Sequence, residues 1–228
     1  MPETVFAPPA PTLAPTRDGA LFPVRRIFCV GRNYAAHVRE MGGDPDREAP
    51  FYFTKPADAL VLHGADMPYP TATADLHHEM ELVVAIGKGG SAIPESEALA
   101  HVWGYAAGLD MTRRDLQAQA KKAGRPWDMA KGFDHSAPIG LLVSAAECGH
   151  PERGAITLTV NGKPRQHSDL THMIWSVPEI VANLSALVRL EPGDLIFSGT
   201  PDGVAAVVRG DVLEGAVEGI GTVTTRIV

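Results

Sequence analysis

The clearest alternation of apolar and polar positions lies at residues 79–86, Glu-Met-Glu-Leu-Val-Val-Ala-Ile. With the two-residue period of a strand, Glu79, Glu81, Val83 and Ala85 share one face, and Met80, Leu82, Val84 and Ile86 share the other. Both faces become apolar further along, which predicts a strand buried on both sides. Further β-rich runs fall at residues 26–30, 51–54, 103–109 and 195–198. Residues 156–160 and 163–166 flank Asn161 and Gly162, a pair that favours a type I′ turn and so predicts a hairpin. Three helices are expected. The first spans residues 34–41, with Asn33 as its cap and Gly42 and Gly43 as its stop. Thr112 opens the second, with Asp115 three residues on as an acidic capping box and Gly124 closing it. Ser176 and Glu179 form the capping box of the third, with Pro178 in its first turn. Its Val177, Ile180, Val181, Leu184, Leu187 and Val188 make one apolar stripe. The sum is an α+β chain dominated by mixed sheet.

Composition narrows this picture. The 228 residues are 45% hydrophobic and 21% charged, as in ordinary globular domains, and are long enough for one sizeable core. A net charge of −7 without a basic stripe argues against nucleic acid. No apolar run approaches a membrane span and no signal peptide is evident, so the expected setting is the cytoplasm. The two cysteines, Cys29 and Cys148, have neither disulfide-framework nor metal-ligand spacing. Residues 1–22 read as a proline-rich arm, with Pro2, Pro8, Pro9, Pro11 and Pro15, that either packs on the body or stays loose. Residues 23–228 read as the catalytic domain.

The chemistry concentrates at the alternating strand. Two carboxylates on one face of a buried strand repel and lose hydration, so either one carboxyl is pushed toward its neutral form or a cation sits between them. An all-oxygen ligand set selects a hard ion such as Mg²⁺, Mn²⁺ or Ca²⁺. Glu79 and Glu81 could equally be solvated residues at a strand end. Asp110 closes the small-residue run 103–109, where Gly104 and Gly108 suggest close backbone approach; it is either a third ligand or a helix cap. His77 and His78 are either ligands or hydrogen-bond partners of the acids. Arg114 and Gln117 lie three apart on the following helix and share a face, where they bind a substrate carboxylate or keto oxygen, or else form polar surface.

Taken together, the motifs resemble the fumarylacetoacetate hydrolase family. They run in order from Cys29-Val30-Gly31-Arg32-Asn33-Tyr34 with His37, through Lys55-Pro56, His78-Glu79-Met80-Glu81-Leu82 and the stretch from Gly108 to Asp115. They continue with Lys131-Gly132-Phe133-Asp134, Val160-Asn161-Gly162, Gly193-Asp194-Leu195-Ile196 and Gly199-Thr200-Pro201-Asp202-Gly203. The resemblance covers residues 26 to the C-terminus. It implies the family's C-terminal-domain fold, a mixed β-sheet roll or sandwich with a few short helices, and a homodimer. It also implies an Mg²⁺ or Mn²⁺ site at Glu79, Glu81 and Asp110, and C–C bond cleavage in 2-oxo acids that carry a second carbonyl. Residues 20–27, 44–48, 101–105 and 174–177 look like the subgroup that cleaves fumarylpyruvate to fumarate and pyruvate in gentisate-type aromatic breakdown.

On that reading the cation chelates the oxo-acid end of the substrate and a base activates water. His37 and Glu40, three apart on the first helix, are candidates for base and orienting acid, on a helix flanked by glycines that would act as a lid. Lys131 is expected beside the metal, orienting a carboxylate or neutralising developing charge. Arg32, Lys55, Arg114, Gln117 and Thr200 are candidates for the substrate's carboxylates and oxo groups. Three rivals stand: an acylpyruvase or oxaloacetate decarboxylase on the same site, an isomerase or decarboxylase of the homoprotocatechuate route, and a non-catalytic β-rich binding protein.

Overall fold

The computed structural model describes residues 4–7, 10–41 and 49–228. The expected stop at Gly42 and Gly43, residues 44–48 of the subgroup likeness, and Pro2, Pro8 and Pro9 of the arm lie outside the described residues.

The alternating segment forms the strand Met80–Ile86 in the interior of an eight-stranded mixed sheet. It pairs antiparallel with Val102–Leu109 on one side and with Asp194–Phe197 on the other. Arg26–Gly31 runs parallel to Asp194–Phe197, and Phe51–Lys55 closes that edge. Ala137–Ile139 and Leu60–Leu62 extend the other side, while Val143–Ser144 pairs with the Val102–Leu109 strand. A backbone-to-backbone approach at that last pair explains Gly104: a Cβ there would meet the Val143 carbonyl oxygen at 2.0 Å.

The sheet separates two hydrophobic cores, and the period-two pattern sorts its residues between them. Met80, Leu82, Val84 and Ile86 join the larger core with Ile156, Leu158, Leu213 and Val223. Those partners come from a four-stranded antiparallel sheet, Lys163–Asp169, Ala155–Val160, Val212–Val217 and Gly221–Arg226. Val83 and Ala85 join the smaller core with Cys29, Ala106 and Phe197. A hairpin of Thr12–Pro15 and Leu21–Val24 covers that core with Ala14, Phe22 and Val24. From residue 12 onward the arm therefore packs on the body. Among the described residues no helix is long and apolar enough to cross a membrane.

The Asn161 and Gly162 hairpin is present, with both residues at positive φ (52° and 71°), as a type I′ turn requires. The capping box of Ser176 and Glu179 starts the helix Val177–Leu187, which packs on the 3₁₀ segment Glu95–His101. Its predicted stripe needs one correction. Val177, Ile180, Val181 and Leu184 are buried, but Leu187 is 66% exposed. It is the last helical residue, where the chain turns into the extended Val188.

Two other predicted caps do not form. The first helix is Ala35–Glu40, and the residue before it is Tyr34, with no side-chain cap. Asn33 instead donates to the carbonyls of Trp175 and Ser198 and accepts from the Trp175 amide, which spends both ends of its side chain on tertiary contacts. Thr112 belongs to a short strand, Thr112–Arg113, paired with Leu76–His77, and the helix begins later as Arg114–Lys122. Asp115 uses its carboxylate on the Thr73 hydroxyl and the amides of Ala74 and Leu116 rather than on a reciprocal cap with Thr112.

Candidate active site

Glu79 immediately precedes the Met80–Ile86 strand, and its carbonyl accepts the Asp110 amide at 2.8 Å. This bond sets Asp110 opposite Glu79 across the ends of two paired strands. Glu81 lies two residues on and so on the same face. As a result, one carboxylate oxygen from each of Glu79, Glu81 and Asp110 lies within 4.8 Å of the others, and all three residues are buried.

Three cations surround this trio unevenly. Lys131, at the end of the short helix Asp128–Lys131, commits all three ammonium protons: to Glu79 Oε2 at 2.7 Å, Asp110 Oδ2 at 2.7 Å and Thr112 Oγ1 at 2.6 Å. Arg114 binds Glu79 Oε1 at 2.6 Å and Gln117 Oε1 at 2.7 Å. Lys55 sits 2.8 Å from Asp110 Oδ1 as an ion pair without hydrogen-bond geometry, and it donates to the carbonyls of Met111 and Lys131. Among the described residues Glu81 has no ion-pair partner, and its Oε2 accepts the Gly199 amide at 2.8 Å. That amide is presented by a loop at positive φ (97°), where a Cβ would also strike Asn33 Cβ at 2.6 Å, so glycine is required.

The carboxyls respond accordingly. Burial alone would push Glu79 up, but Lys131, Arg114 and His37 hold it well below the usual carboxylate range. Burial, followed by the charges of Asp110 and Glu79, drives Glu81 well above its ordinary value, and the Gly199 amide and Lys131 offset this only in part. Burial opposes the charge on Lys131, but Asp110 and Glu79 keep its ammonium protonated.

These residues fit a divalent cation. The donors are all carboxylate oxygens, which suits a hard ion. Among the described residues, Asp110 Oδ1 is buried with no hydrogen-bond donor and Glu81 takes no side-chain donor, so both leave carboxylate oxygens open to an ion. Neither His77 nor His78 belongs to this ligand set: His77 Nε2 meets Asp75, and His78 Nδ1 meets Gln166.

Eight of the eleven residues singled out in the sequence border one pocket: Arg32, His37, Glu79, Glu81, Arg114, Gln117, Lys131 and Thr200. The other three stand behind it. Asp110 is bound to Lys131, Glu40 to His37, and Lys55 to Asp110. Lys55 is buried with no face on the pocket, so the structure places it as a brace for Asp110 rather than against substrate. His37 Nδ1 lies 3.2 Å from Glu40 Oε2, and the Gly203 amide donates to the same carboxylate at 3.1 Å. The Glu40 carboxylate can only accept, so Nδ1 carries a proton, and in the neutral ring it is Nε2 that keeps the lone pair. Gly31 does not act as a plain hinge for this helix: a Cβ at that position would enter the Phe51 ring at 2.0 Å, while the positive φ of 59° falls on Arg32.

Three further pocket residues were not foreseen. Lys121 stands 5.0 Å over the Trp127 ring, and Phe53 lies 5.0 Å beneath the Lys131 ammonium. The spacing of Lys121, seven residues after Arg114 on one helix, carried the signal for the first of these.

The description "Fumarylacetoacetate (FAA) hydrolase C-terminal" matches residues 26–228. The chain belongs to the fumarylacetoacetate hydrolase family. Among curated relatives, a fumarylpyruvate hydrolase from Ralstonia sp is 48% identical over 184 residues, 81% of this chain and 95% of that protein. A mitochondrial oxaloacetate tautomerase from Homo sapiens is 42% identical over 203 residues, 89% of this chain and 91% of that protein. A crystal structure of fumarylpyruvate hydrolase from Pseudomonas aeruginosa in complex with Mn²⁺ and pyruvate superposes with a TM-score of 0.97 at 54% identity, covering 99% of each chain. The mixed, curled sheets with few short helices are this family's fold, and the chain is a hydrolase of carbon–carbon bonds.

Proposed function

We propose that this family member hydrolyses fumarylpyruvate to fumarate and pyruvate with Mg²⁺ or Mn²⁺ held by Glu79, Glu81 and Asp110, as a step of gentisate-type aromatic breakdown. The observation that carries this reading is that Glu79 and Glu81 of the buried carboxylate trio face one pocket with His37. The Pseudomonas aeruginosa neighbour, described with Mn²⁺ and pyruvate, supports it, since pyruvate is the fragment the reaction would leave beside the trio.

A divalent cation there would hold the carboxylate and 2-oxo oxygen of the substrate and take up the negative charge the pyruvyl fragment gains. Lys131, with every proton committed, keeps Glu79 and Asp110 aligned. Gln117 Oε1 is taken by Arg114, so its NH₂ end is left to donate to the distal carbonyl oxygen as that becomes an oxyanion. His37 Nε2 accepts a proton from the water that attacks the distal carbonyl carbon. Collapse of the tetrahedral adduct breaks the C–C bond. The electron pair goes to the pyruvyl carbon, which takes up a proton, and the new carboxylic acid ionises. Arg32 and Lys121 border the pocket and pair with no carboxylate among the described residues, which suits them to the fumaryl carboxylate.

The relatives described as oxaloacetate tautomerases favour a second reading, in which His37 only moves a proton at the carbon next to the oxo group and no water adds. A substrate panel with Mn²⁺ and Mg²⁺ separates the two. Fumarylpyruvate should be turned over far better than acetylpyruvate or oxaloacetate; the reverse ranking would overturn the proposal.

A further inference from the structure

Gln166 does not border the pocket, yet it is buried between two parts of the site. It sits on the strand Lys163–Asp169 of the four-stranded sheet. Its Oε1 accepts the Met80 amide at 3.0 Å, between the two glutamates of the trio. Its Nε2 donates to the Pro201 carbonyl at 2.9 Å and contacts Thr200 Oγ1 at 2.8 Å.

The polarity of this network is fixed by the backbone. A peptide amide only donates and a carbonyl only accepts, so Met80 and Pro201 together allow one orientation of the Gln166 side chain. With Nε2 facing it, Thr200 Oγ1 must accept. Its own proton then has to point elsewhere, and no acceptor among the described residues takes it. Thr200 borders the pocket with Glu81 and Lys131. We propose that Gln166 is a positioning residue that turns the Thr200 hydroxyl proton into the pocket, making Thr200 a hydrogen-bond donor to the oxo-acid end of the substrate. The same amide ties the start of the Met80–Ile86 strand to the Thr200 loop, so it also fixes the spacing between that donor and the carboxylates.

This inference rests on the reading that the oxo-acid end binds beside the trio, and a double-mutant cycle tests it. Gln166→Glu keeps the acceptor for Met80 but replaces the donor facing Thr200 with a second acceptor, which would capture the hydroxyl proton. Thr200→Val deletes that proton, and Thr200→Ser retains it. Gln166→Glu and Thr200→Val should each lower kcat/KM by about 10- to 100-fold, the loss of one hydrogen bond to a charged group, with Tm measured alongside. The double variant should be no worse than Thr200→Val, and Thr200→Ser, which keeps the hydroxyl, should lose much less than Thr200→Val. Additive losses would overturn the proposal, because Gln166 would then act on the fold rather than through Thr200. If Gln166→Glu fails to fold, an unchanged kcat/KM in Thr200→Val is enough to overturn it. The cycle is read on whichever 2-oxo acid is turned over. Calorimetric binding of pyruvate to the Mn²⁺-loaded variants reports the same link if fumarylpyruvate is the wrong substrate.

Discussion

Glu79 and His37 border the same pocket but are held by very different amounts of structure. Glu79 precedes a fully buried seven-residue strand inside the large sheet, its carbonyl is bonded to the Asp110 amide, and two cations grip its carboxylate. His37 rides on a six-residue helix with no side-chain cap. A helix that short has no stability of its own. This one is tied to the body by the Glu40 contact with the Gly203 amide and by a bridge from Tyr34 to Met173. Carboxylates crowded into a buried site must be fixed against their own repulsion, whereas a base that meets water and substrate must let them in. Substrate and the attacking water must both reach the carboxylates past the residues that line this pocket. The His37 helix is the wall with the weaker ties.

The largest effect should come from the fixed end. Chelating the divalent cation, or Glu81→Ala, removes charge stabilisation worth several kcal/mol, so turnover should fall by about 10³-fold. Mn²⁺ should restore the chelated enzyme and leave the variant inactive; undiminished turnover in EDTA would remove the basis for assigning the trio to a metal. Next comes Lys131→Met, which strips Glu79 and Asp110 of the ammonium they share. Breaking a buried ion pair costs about 3–5 kcal/mol, measurable by urea unfolding of the cation-free protein. Added Mn²⁺ should recover part of that loss, because it supplies positive charge at the same place. Stability equal to the parent's would mean that Arg114 and Lys55 suffice.

At the His37 end, His37→Ala should lower turnover by about 10²-fold and Glu40→Gln by about tenfold, since on the proposed mechanism the first removes the base and the second only its orienting partner. Mn²⁺ affinity, followed by calorimetry, should hardly change in either. If affinity falls in step with turnover, His37 belongs to the fixed end and the contrast between the two ends disappears.

The same contrast governs what the sequence could reveal. Alternation at residues 79–86 was enough to assign Glu79 and Glu81 to one face, because a strand's period is rigid and both its surroundings are apolar. The Asn161 and Gly162 turn and the capping box of Ser176 and Glu179 were legible for a similar reason: their chemistry is local. Asn33 and Thr112 misled because each has the side chain of a cap, yet long-range partners claim it: the Trp175 amide and carbonyl and the Ser198 carbonyl for Asn33, the Lys131 ammonium for Thr112. Lys55 was placed against substrate because motif order carries no depth; only the packed structure shows its ammonium turned toward Asp110. Lys121 was hidden by its polar neighbours, Gln119 and Lys122, which look like plain helix surface.

The smallest effect should come from Asp115, the loosest tie on the fixed side. Its carboxylate joins the start of the Arg114–Lys122 helix, which carries Arg114 and Gln117, to the Thr73 hydroxyl and the Ala74 amide. Burial pushes its carboxyl up, but the Thr73 hydroxyl and the amides of Ala74 and Leu116 outweigh this and hold it below the ordinary 3.8. A depressed carboxyl stabilises the fold above the unfolded value and loses that contribution as pH falls through the folded one. Asp115→Ala should therefore cost about 1 kcal/mol at neutral pH, the usual loss of a carboxylate at a helix start. The gap in urea midpoints from the parent should close below pH 3.8. A gap that persists there would assign the cost to packing instead of charge. Turnover should stay within about twofold, as for a substitution outside the machinery, because Arg114 keeps its own bond to Glu79. A loss as large as that of Glu40→Gln would mean that the carboxylate end depends on peripheral ties as heavily as the His37 helix does.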